Sequence, residues 1–210
     1  MTKSLKNNLL QKNILRSKYK EVRNLMKEAE IANLNKQIVD KTVNFIESLK
    51  FKDLNVLLYS EINNEVKCLE IAKKIVDSQN NSKIRFALPK ITSSKKSEMV
   101  FTEFCIHTEI KNQGYQNTKY GLQSISDKEI NWQPCICFVP LVAVTRDLKR
   151  LGYGFGFYDN YFLKNMNMLK IGIAYNCQII TEKVENIIFR DNDVKLDILI
   201  TENEVIDKRQ

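Results

Sequence analysis

The chain has 210 residues, 43 % of them hydrophobic and 28 % charged, which suits one soluble globular domain with a sizeable core. No apolar run approaches the roughly 18 residues that span a bilayer, the polar start lacks a signal-peptide core, and five cysteines without framework spacing suit reduced thiols in a cytoplasm. The net charge of +8 sits almost wholly in residues 1–27, where eight Lys/Arg meet one acid, Glu21. That concentration fits an anionic partner (a nucleotide, a poly-acidic small molecule or nucleic acid), and equally a solvated helix face.

Periodicity predicts a first helix over residues 11–27, with Ile14, Leu15, Val22, Leu25 and Met26 facing inward. Lys12, Arg16, Lys20 and Arg23 form a basic stripe beside that face. Two cations one turn apart can both reach one polyphosphate. A second helix over 34–49 has an apolar stripe and no evident chemistry. Residues 54–59 read as a buried strand. A helix with Leu69, Ala72, Ile75 and Val76 inward follows, then a strand over 84–88 closed by Pro89. Strand, helix, strand at this spacing is a βαβ unit with parallel strands. Ligands of such sheets bind beyond the strands' carboxyl ends, where Tyr59, Ser60 and Glu65 stand. Glu65 suits either of two roles: accepting hydrogen bonds from a ligand's N–H groups, or stabilising a helix start.

Residues 98–104 suit a short strand with Met99, Phe101 and Cys105 on one face. His107, the sole histidine, sits among polar residues and reads as an exposed side chain. Residues 110–134 read mostly as loop and 136–144 as a central strand. Cys135 and Cys137 point the same way there, but lack the partners of a zinc site and read as structural. The motif Arg150-Leu151-Gly152-Tyr153-Gly154-Phe155-Gly156-Phe157-Tyr158-Asp159 holds three of the six glycines at alternate positions. Bare N–H groups between aromatic walls make an anion cradle. Arg150 can fork onto phosphate oxygens, and Asp159 can hold a magnesium ion shared with them. A glycine-rich hairpin with aromatic packing fits the same spacing. A dinucleotide fingerprint and a Walker loop do not fit: residue 157 is Phe, and no Gly-Lys-Ser/Thr is present. A short helix up to Asn165, a strand over 170–175 and a last strand over 196–200 complete the chain. No repeat or low-complexity linker interrupts it, so residues 1–210 are expected to be a single domain, with the helices of residues 1–50 packed on it.

RLGYGFGFYD closely resembles the signature of the 5-formyltetrahydrofolate cyclo-ligase (methenyltetrahydrofolate synthetase) family, roughly R-L-G-x-G-x-G-[YF]-Y-D. Lys12-Asn13-Ile14-Leu15-Arg16 is similar to the family's K-x-x-L-R, and Tyr59 to Val66 to its Y-x-x-x-x-x-E-V/I. Residues 171–178 are similar to I-G-x-A-[FY]-x-x-Q, and Asp193 with Asp197 to its final D-x-x-[VL]-D. Tyr120-Gly121-Leu122-Gln123 departs from the family's G-I-x-E-P-like element. Phe189-Arg190-Asp191-Asn192 replaces its usual proline and His-Asp, which makes Asp191 a rival to Asp193.

The resemblance implies an α/β, Rossmann-like three-layer fold with a mostly parallel sheet, of sugar-phosphate isomerase and CoA-transferase type. It implies ATP-dependent conversion of 5-formyltetrahydrofolate to 5,10-methenyltetrahydrofolate through an imidate phosphate, with release of ADP and phosphate. On the matching positions, ATP would contact Lys12, Arg16, Arg150, Leu151, Gly152, Tyr153, Gly154, Phe155, Gly156, Phe157 and Tyr158, with Arg150 and Tyr158 catalytic. The folate would contact Tyr59, Ser60, Glu65, Tyr153, Phe155 and Phe157, and Mg2+ would sit at Asp159 and Asp193. A cytoplasmic monomer is expected, acting on free or polyglutamylated substrate, without membrane or nucleic-acid partners. Two other classes stand beside this reading. One is a non-catalytic RNA- or nucleotide-binding protein on the same fold, favoured by the basic first helix and a pI near 9.1. The other is a sugar-phosphate isomerase-like enzyme, by fold analogy alone.

Overall fold

The computed structural model describes residues 3–78, 83–126, 128–132, 135–181, 189 and 193–209. Its elements are, in order, α1 (Lys3–Asn24), α2 (Glu28–Ser48), β1 (Asp53–Leu57), α3 (Cys68–Ser78), β2 (Lys83–Ser93) and β3 (Glu98–Phe104). Then come β4 (Tyr115–Thr118), β5 (Gly121–Ser124), β6 (Cys135–Val139), β7 (Ala143–Val144), β8 (Arg150–Leu151) and α4 (Phe157–Lys164). The last are β9 (Met168–Ile173), β10 (Ile198–Ile200) and β11 (Val205–Asp207).

The main sheet has seven strands in the order β11, β10, β9, β6, β1, β2, β3. The five from β10 to β2 are parallel to their neighbours, and β3 and β11 close the edges antiparallel. The inner strands are apolar on both sides, as strands between two layers must be. Val56, Phe86, Phe138, Ile171 and Ile198 face one core, shared with Ile38 and Val43 of α2 and Ile71 and Ile75 of α3. The alternate residues Leu57, Ala87, Cys137, Val139 and Leu199 face a second core, built with Phe157, Tyr161 and Phe162 of α4. The mostly parallel, three-layer α/β arrangement expected from the sequence is therefore present. All five cysteines are free thiols.

The order of strands decides where a ligand can enter. From β1 the chain passes to β2 on one side, and later returns as β6 on the other side of β1. The connections thus part between β1 and β6. In open α/β sheets a crevice forms at such a point, outside the carboxyl ends of the strands.

Several local expectations are corrected. The buried face of α1 is Leu15, Tyr19 and Arg23, while Ile14 and Leu25 point to solvent. Arg23 is only 1 % exposed, so it lies beneath the basic stripe. Pro89 does not close a strand. β2 runs on to Ser93 against β3, with Pro89 opposite Phe101. The Phe101 carbonyl is turned outward to accept from Ile130 N–H, so no ladder bond is asked of the proline there. Residues 110–134 contain a short helical turn and the hairpin β4–β5. The strand expected over 136–144 ends at Val139, and α4 starts two residues before Asp159. Cys105 is exposed, apart from Met99 and Phe101.

Candidate active site

Beyond the ends of β1 and β6 lies a cavity of about 250 Å3. Tyr59 and Ser60 reach it from the segment after β1, Pro140 from the segment after β6, and Pro89 and Ile91 from the extension of β2. Every residue named in advance as a site residue lines it: Lys12, Arg16, Tyr59, Ser60, Glu65, the whole of Arg150–Asp159 and Asp193.

The glycine motif forms the loop between β8 and α4, and its glycines answer to different demands. A Cβ on Gly152 would stand 2.6 Å from Arg150 Nη1, so the loop can pass over that guanidinium only without a side chain. Gly154 has φ +100°, and a Cβ there would come within 3.1 Å of Arg16 Cζ. Gly156 caps α4.

Helix α1 lays its basic stripe on this loop. Arg16 Nε donates to the Gly152 carbonyl at 2.8 Å, and Lys20 Nζ lies 4.8 Å over the Tyr153 ring. Arg23 Nη2 donates to the Tyr153 hydroxyl at 2.7 Å. Lys12 Nζ meets Asp193 Oδ2 at 2.5 Å. Lys12 and Arg16 thus line the cavity, while Lys20 and Arg23 brace the Tyr153 side of its wall.

Arg150 is 8 % exposed. Its Nη2 donates to Asp159 Oδ1 at 2.9 Å and its Nη1 to the Pro140 carbonyl at 3.2 Å. The fork expected to reach phosphate oxygens is thus shared with Asp159. Val194 N–H also donates to Asp159 Oδ1, at 3.4 Å, so the segment carrying Asp193 adjoins Asp159. Both carboxylates act on the Arg16 charge. Asp191, the rival to Asp193, lies outside the described residues. The Tyr158 hydroxyl is buried without a hydrogen-bond partner, and burial pushes its pKa well above the usual tyrosine range.

The remaining wall is aromatic around one buried acid. Glu65 is 6 % exposed. Its Oε2 accepts from Ile62 N–H at 3.0 Å, and its Oε1 lies 4.0 Å from Arg23 Nη1. Burial pushes its pKa up to about 7, with Ile62 N–H, Arg23 and the Tyr153 hydroxyl pulling the other way. Tyr59 offers its ring only, because its hydroxyl donates to the Val66 carbonyl at 2.8 Å. Ser60 Oγ accepts from Leu122 N–H at 3.0 Å, which ties hairpin β4–β5 to the cavity. Tyr120 at the hairpin tip meets Phe155 and Phe157 edge-on at 5.6 and 5.7 Å. Gln123 and Met99 complete that side. Sequence reading missed Tyr120, Gln123 and Arg23. The available signal for the hairpin was Tyr120-Gly121, a turn residue beside an aromatic. Arg23 gave no signal beyond its place in the stripe. One cavity thus joins a cationic loop with two adjacent carboxylates to an aromatic slot with a buried acid, a pairing that suits a polyphosphate beside a flat heterocycle.

Comparison with known proteins points the same way. A family model described as the 5-formyltetrahydrofolate cyclo-ligase family matches residues 8–202. A 5-formyltetrahydrofolate cyclo-ligase of Haemophilus influenzae is 28 % identical over 192 residues, covering 89 % of this chain and 95 % of that protein. The solved 5,10-methenyltetrahydrofolate synthetase of Aquifex aeolicus has a TM-score of 0.72 at 25 % identity, covering 95 % of this chain and 93 % of that one. The synthetase of Mycoplasma pneumoniae has a TM-score of 0.66, also at 25 % identity, covering 91 % and 98 %.

Proposed function

Because the chain belongs to the 5-formyltetrahydrofolate cyclo-ligase family, we propose that the cavity beyond β1 and β6 is where it binds ATP beside its folate. The enzyme uses ATP to cyclise 5-formyltetrahydrofolate to 5,10-methenyltetrahydrofolate, forming a C–N bond in one-carbon metabolism. The observation that carries the assignment to this cavity is the meeting of the glycine loop, Lys12, Arg16, Asp159, Asp193 and Glu65 around one space.

The chemistry makes use of each part. A formamide oxygen leaves poorly. Transfer of the γ-phosphoryl group to it breaks the bond to ADP and gives an imidate phosphate. The 10-nitrogen then attacks the formyl carbon, phosphate departs with the oxygen, and the nitrogen gives up its proton. Such transfer depends on positioning and charge stabilisation. Lys12, Arg16 and the loop N–H groups hold the phosphates. Arg150 and Tyr158 stand beneath the loop as the catalytic pair. Tyr59, Ser60, Tyr153, Phe155 and Phe157 flank the pterin, and Glu65 accepts from its N–H groups. Two adjacent carboxylates suit magnesium, which takes one or two of them with phosphate and water oxygens. An ion held by Asp159 and Asp193 would supply neutralising charge to the phosphates. Residues 1–210 act as one domain, as a cytoplasmic monomer, on free or polyglutamylated substrate. No helix among the described residues is long and apolar enough to cross a membrane.

An absorbance assay for methenyltetrahydrofolate should show product only with both ATP and magnesium, with phosphate released one to one. Product without any nucleoside triphosphate would overturn this reading, and ATP-independent turnover of a sugar phosphate with no folate product would favour the isomerase-like alternative. The RNA-binding alternative loses support from Lys12 and Arg16, which line the cavity, and from Arg23, which is buried. RNA binding with steep salt dependence and no folate turnover would restore it.

Glu65→Gln should weaken folate binding about tenfold or more and leave ATP binding unchanged, because a hydrogen bond to a charged group is worth roughly 1.5–3 kcal/mol. The Glu65 carboxyl titrates at about 7 in the free protein, so its acceptor charge is lost as pH falls through that value. Folate affinity measured by calorimetry should rise between pH 6 and pH 8 in the parent, and the rise should flatten in the variant. Equal folate affinity in the two proteins at pH 8 would leave Glu65 a structural acid.

A further inference from the structure

Arg23 is the most deeply buried charge at this site, and neither the motif nor the cavity wall includes it. Its guanidinium reaches three separate parts of the fold. Nη2 donates to the Tyr153 hydroxyl of the glycine loop at 2.7 Å, Nη1 faces the Leu141 carbonyl after β6 at 3.4 Å, and the same Nη1 lies 4.0 Å from Glu65 Oε1. Its Nε is buried without a partner. An arginine this deep carries a heavy desolvation cost, and its position is hard to explain by packing alone. It lies one, two and three turns along the face of α1 that also presents Lys20, Arg16 and Lys12 to the loop.

We propose that Arg23 is a positioning residue for the folate half of the site, holding Glu65 and Tyr153 in register and keeping the Glu65 carboxyl ionisable. The inference rests on the reading of Glu65 as the pterin acceptor. Helix α1 then serves both substrates: Lys12 and Arg16 on the nucleotide side, Arg23 on the folate side. Among the described residues, the groups facing Glu65 are few. Besides Arg23, they are Glu61 and Tyr59 after β1, Cys68 at the start of α3, Tyr153 in the loop and Tyr158 at the start of α4. Of these, Tyr59, Cys68, Tyr153 and Tyr158 are held neutral by burial. Arg23 is therefore the one cation in this set of described residues, and its removal leaves the partly buried Glu61 carboxyl, whose own pKa burial raises, as the remaining acidic neighbour.

The test compares Arg23→Met, of similar length and uncharged, and Arg23→Lys with the parent enzyme. Arg23→Met should raise KM for 5-formyltetrahydrofolate at least tenfold and leave KM for ATP within twofold. It should also move the acid limb of the kcat/KM profile upward by one pH unit or more. Arg23→Lys should restore most of the limb position, since it returns the charge without the fork. The Glu65 carboxyl can be followed directly in the ligand-free protein by carbon NMR titration, its signal assigned through Glu65→Gln. It should titrate near 7 in the parent and higher in Arg23→Met. Equal rises in both KM values, or a folate effect with an unmoved limb and unmoved titration, would make Arg23 a packing residue and overturn the proposal. If Arg23→Met does not fold, Arg23→Gln, which removes the charge and keeps hydrogen-bonding groups, carries the same readouts and the same expected outcomes. A shifted titration together with a Glu65→Gln variant of normal folate affinity would instead mean that the pair is real and the pterin role of Glu65 is wrong.

Discussion

Asp159→Asn is expected to lower kcat/KM for ATP at least a hundredfold and to reduce stability by about 1–2 kcal/mol. One atom is behind both effects. Asp159 Oδ1 accepts from Arg150 Nη2 and from Val194 N–H. Arg150 is nearly buried and already has an unpartnered Nε, so it tolerates little further loss. An asparagine Oδ1 can still accept from both donors but cannot offset the charge. The side chain of Asp159 is 31 % exposed, and solvent screening keeps the stability cost below that of a fully buried pair. Asp193→Asn should behave differently. Its partner Lys12 comes from the first helix and both side chains remain partly solvated, so the melting temperature should hardly move. The magnesium concentration for half-maximal turnover should rise about tenfold, as expected for loss of one of two carboxylate ligands. Thermal melts and magnesium titrations of the two variants separate these effects. Asp191→Asn should be close to silent. If it is the damaging change and Asp193→Asn is not, the tail alignment is two residues out and Asp191 is the ligand.

The sheet could be read from sequence because its strands are short apolar runs separated by helical periodicity, and because both faces are covered. The glycine-loop wall of the cavity could be read because three of the six glycines alternate with aromatics, while Lys12, Arg16 and Asp193 were set beside it by the family resemblance alone. The βαβ unit further put Tyr59, Ser60 and Glu65 at the open end of the sheet. What escaped was decided by tertiary partners. Arg23 falls in register with three other cations, so the pattern placed it in a basic stripe beside the buried face, facing either an anionic partner or solvent. Its burial depends on Tyr153, 130 residues away. The inward face of α1 is Leu15-Tyr19-Arg23 rather than the more apolar Ile14 and Leu25, a case where docking overrides local hydropathy. Hairpin β4–β5 is polar on most of one strand. It is held by Ser60 Oγ and by Gln123 Oε1, which accepts from Ile91 N–H at 2.7 Å. No local pattern announces bonds of that kind. Pro89 was misread because a proline inside a strand is acceptable only where no ladder bond is needed, and that depends on where the neighbouring strand's carbonyls point.

The second large effect concerns Gly154. Gly154→Ala should raise KM for ATP about tenfold or more and lower stability by about 1–2 kcal/mol, the typical cost of a side chain in a left-handed backbone conformation. The residue has φ +100°, and the new Cβ would lie 3.1 Å from Arg16 Cζ and 3.3 Å from its Nη2. Arg16 cannot yield without loosening its bond to the Gly152 carbonyl, so the strain passes to the cation meant to meet the phosphates. Gly172→Ala is the matching control in the core. Its Cβ would lie 2.4 Å from Leu196 Cδ1 and 3.0 Å from Leu141 Cδ2, an overpacking that costs about 1–3 kcal/mol. That variant should lose melting temperature to a similar or greater degree. Its KM for ATP should stay near that of the parent, because Gly172 lies within β9 and does not line the cavity. If both variants lose only stability and share an unchanged KM, the glycine loop does not carry the nucleotide, and the phosphates must be sought on the remaining cavity wall.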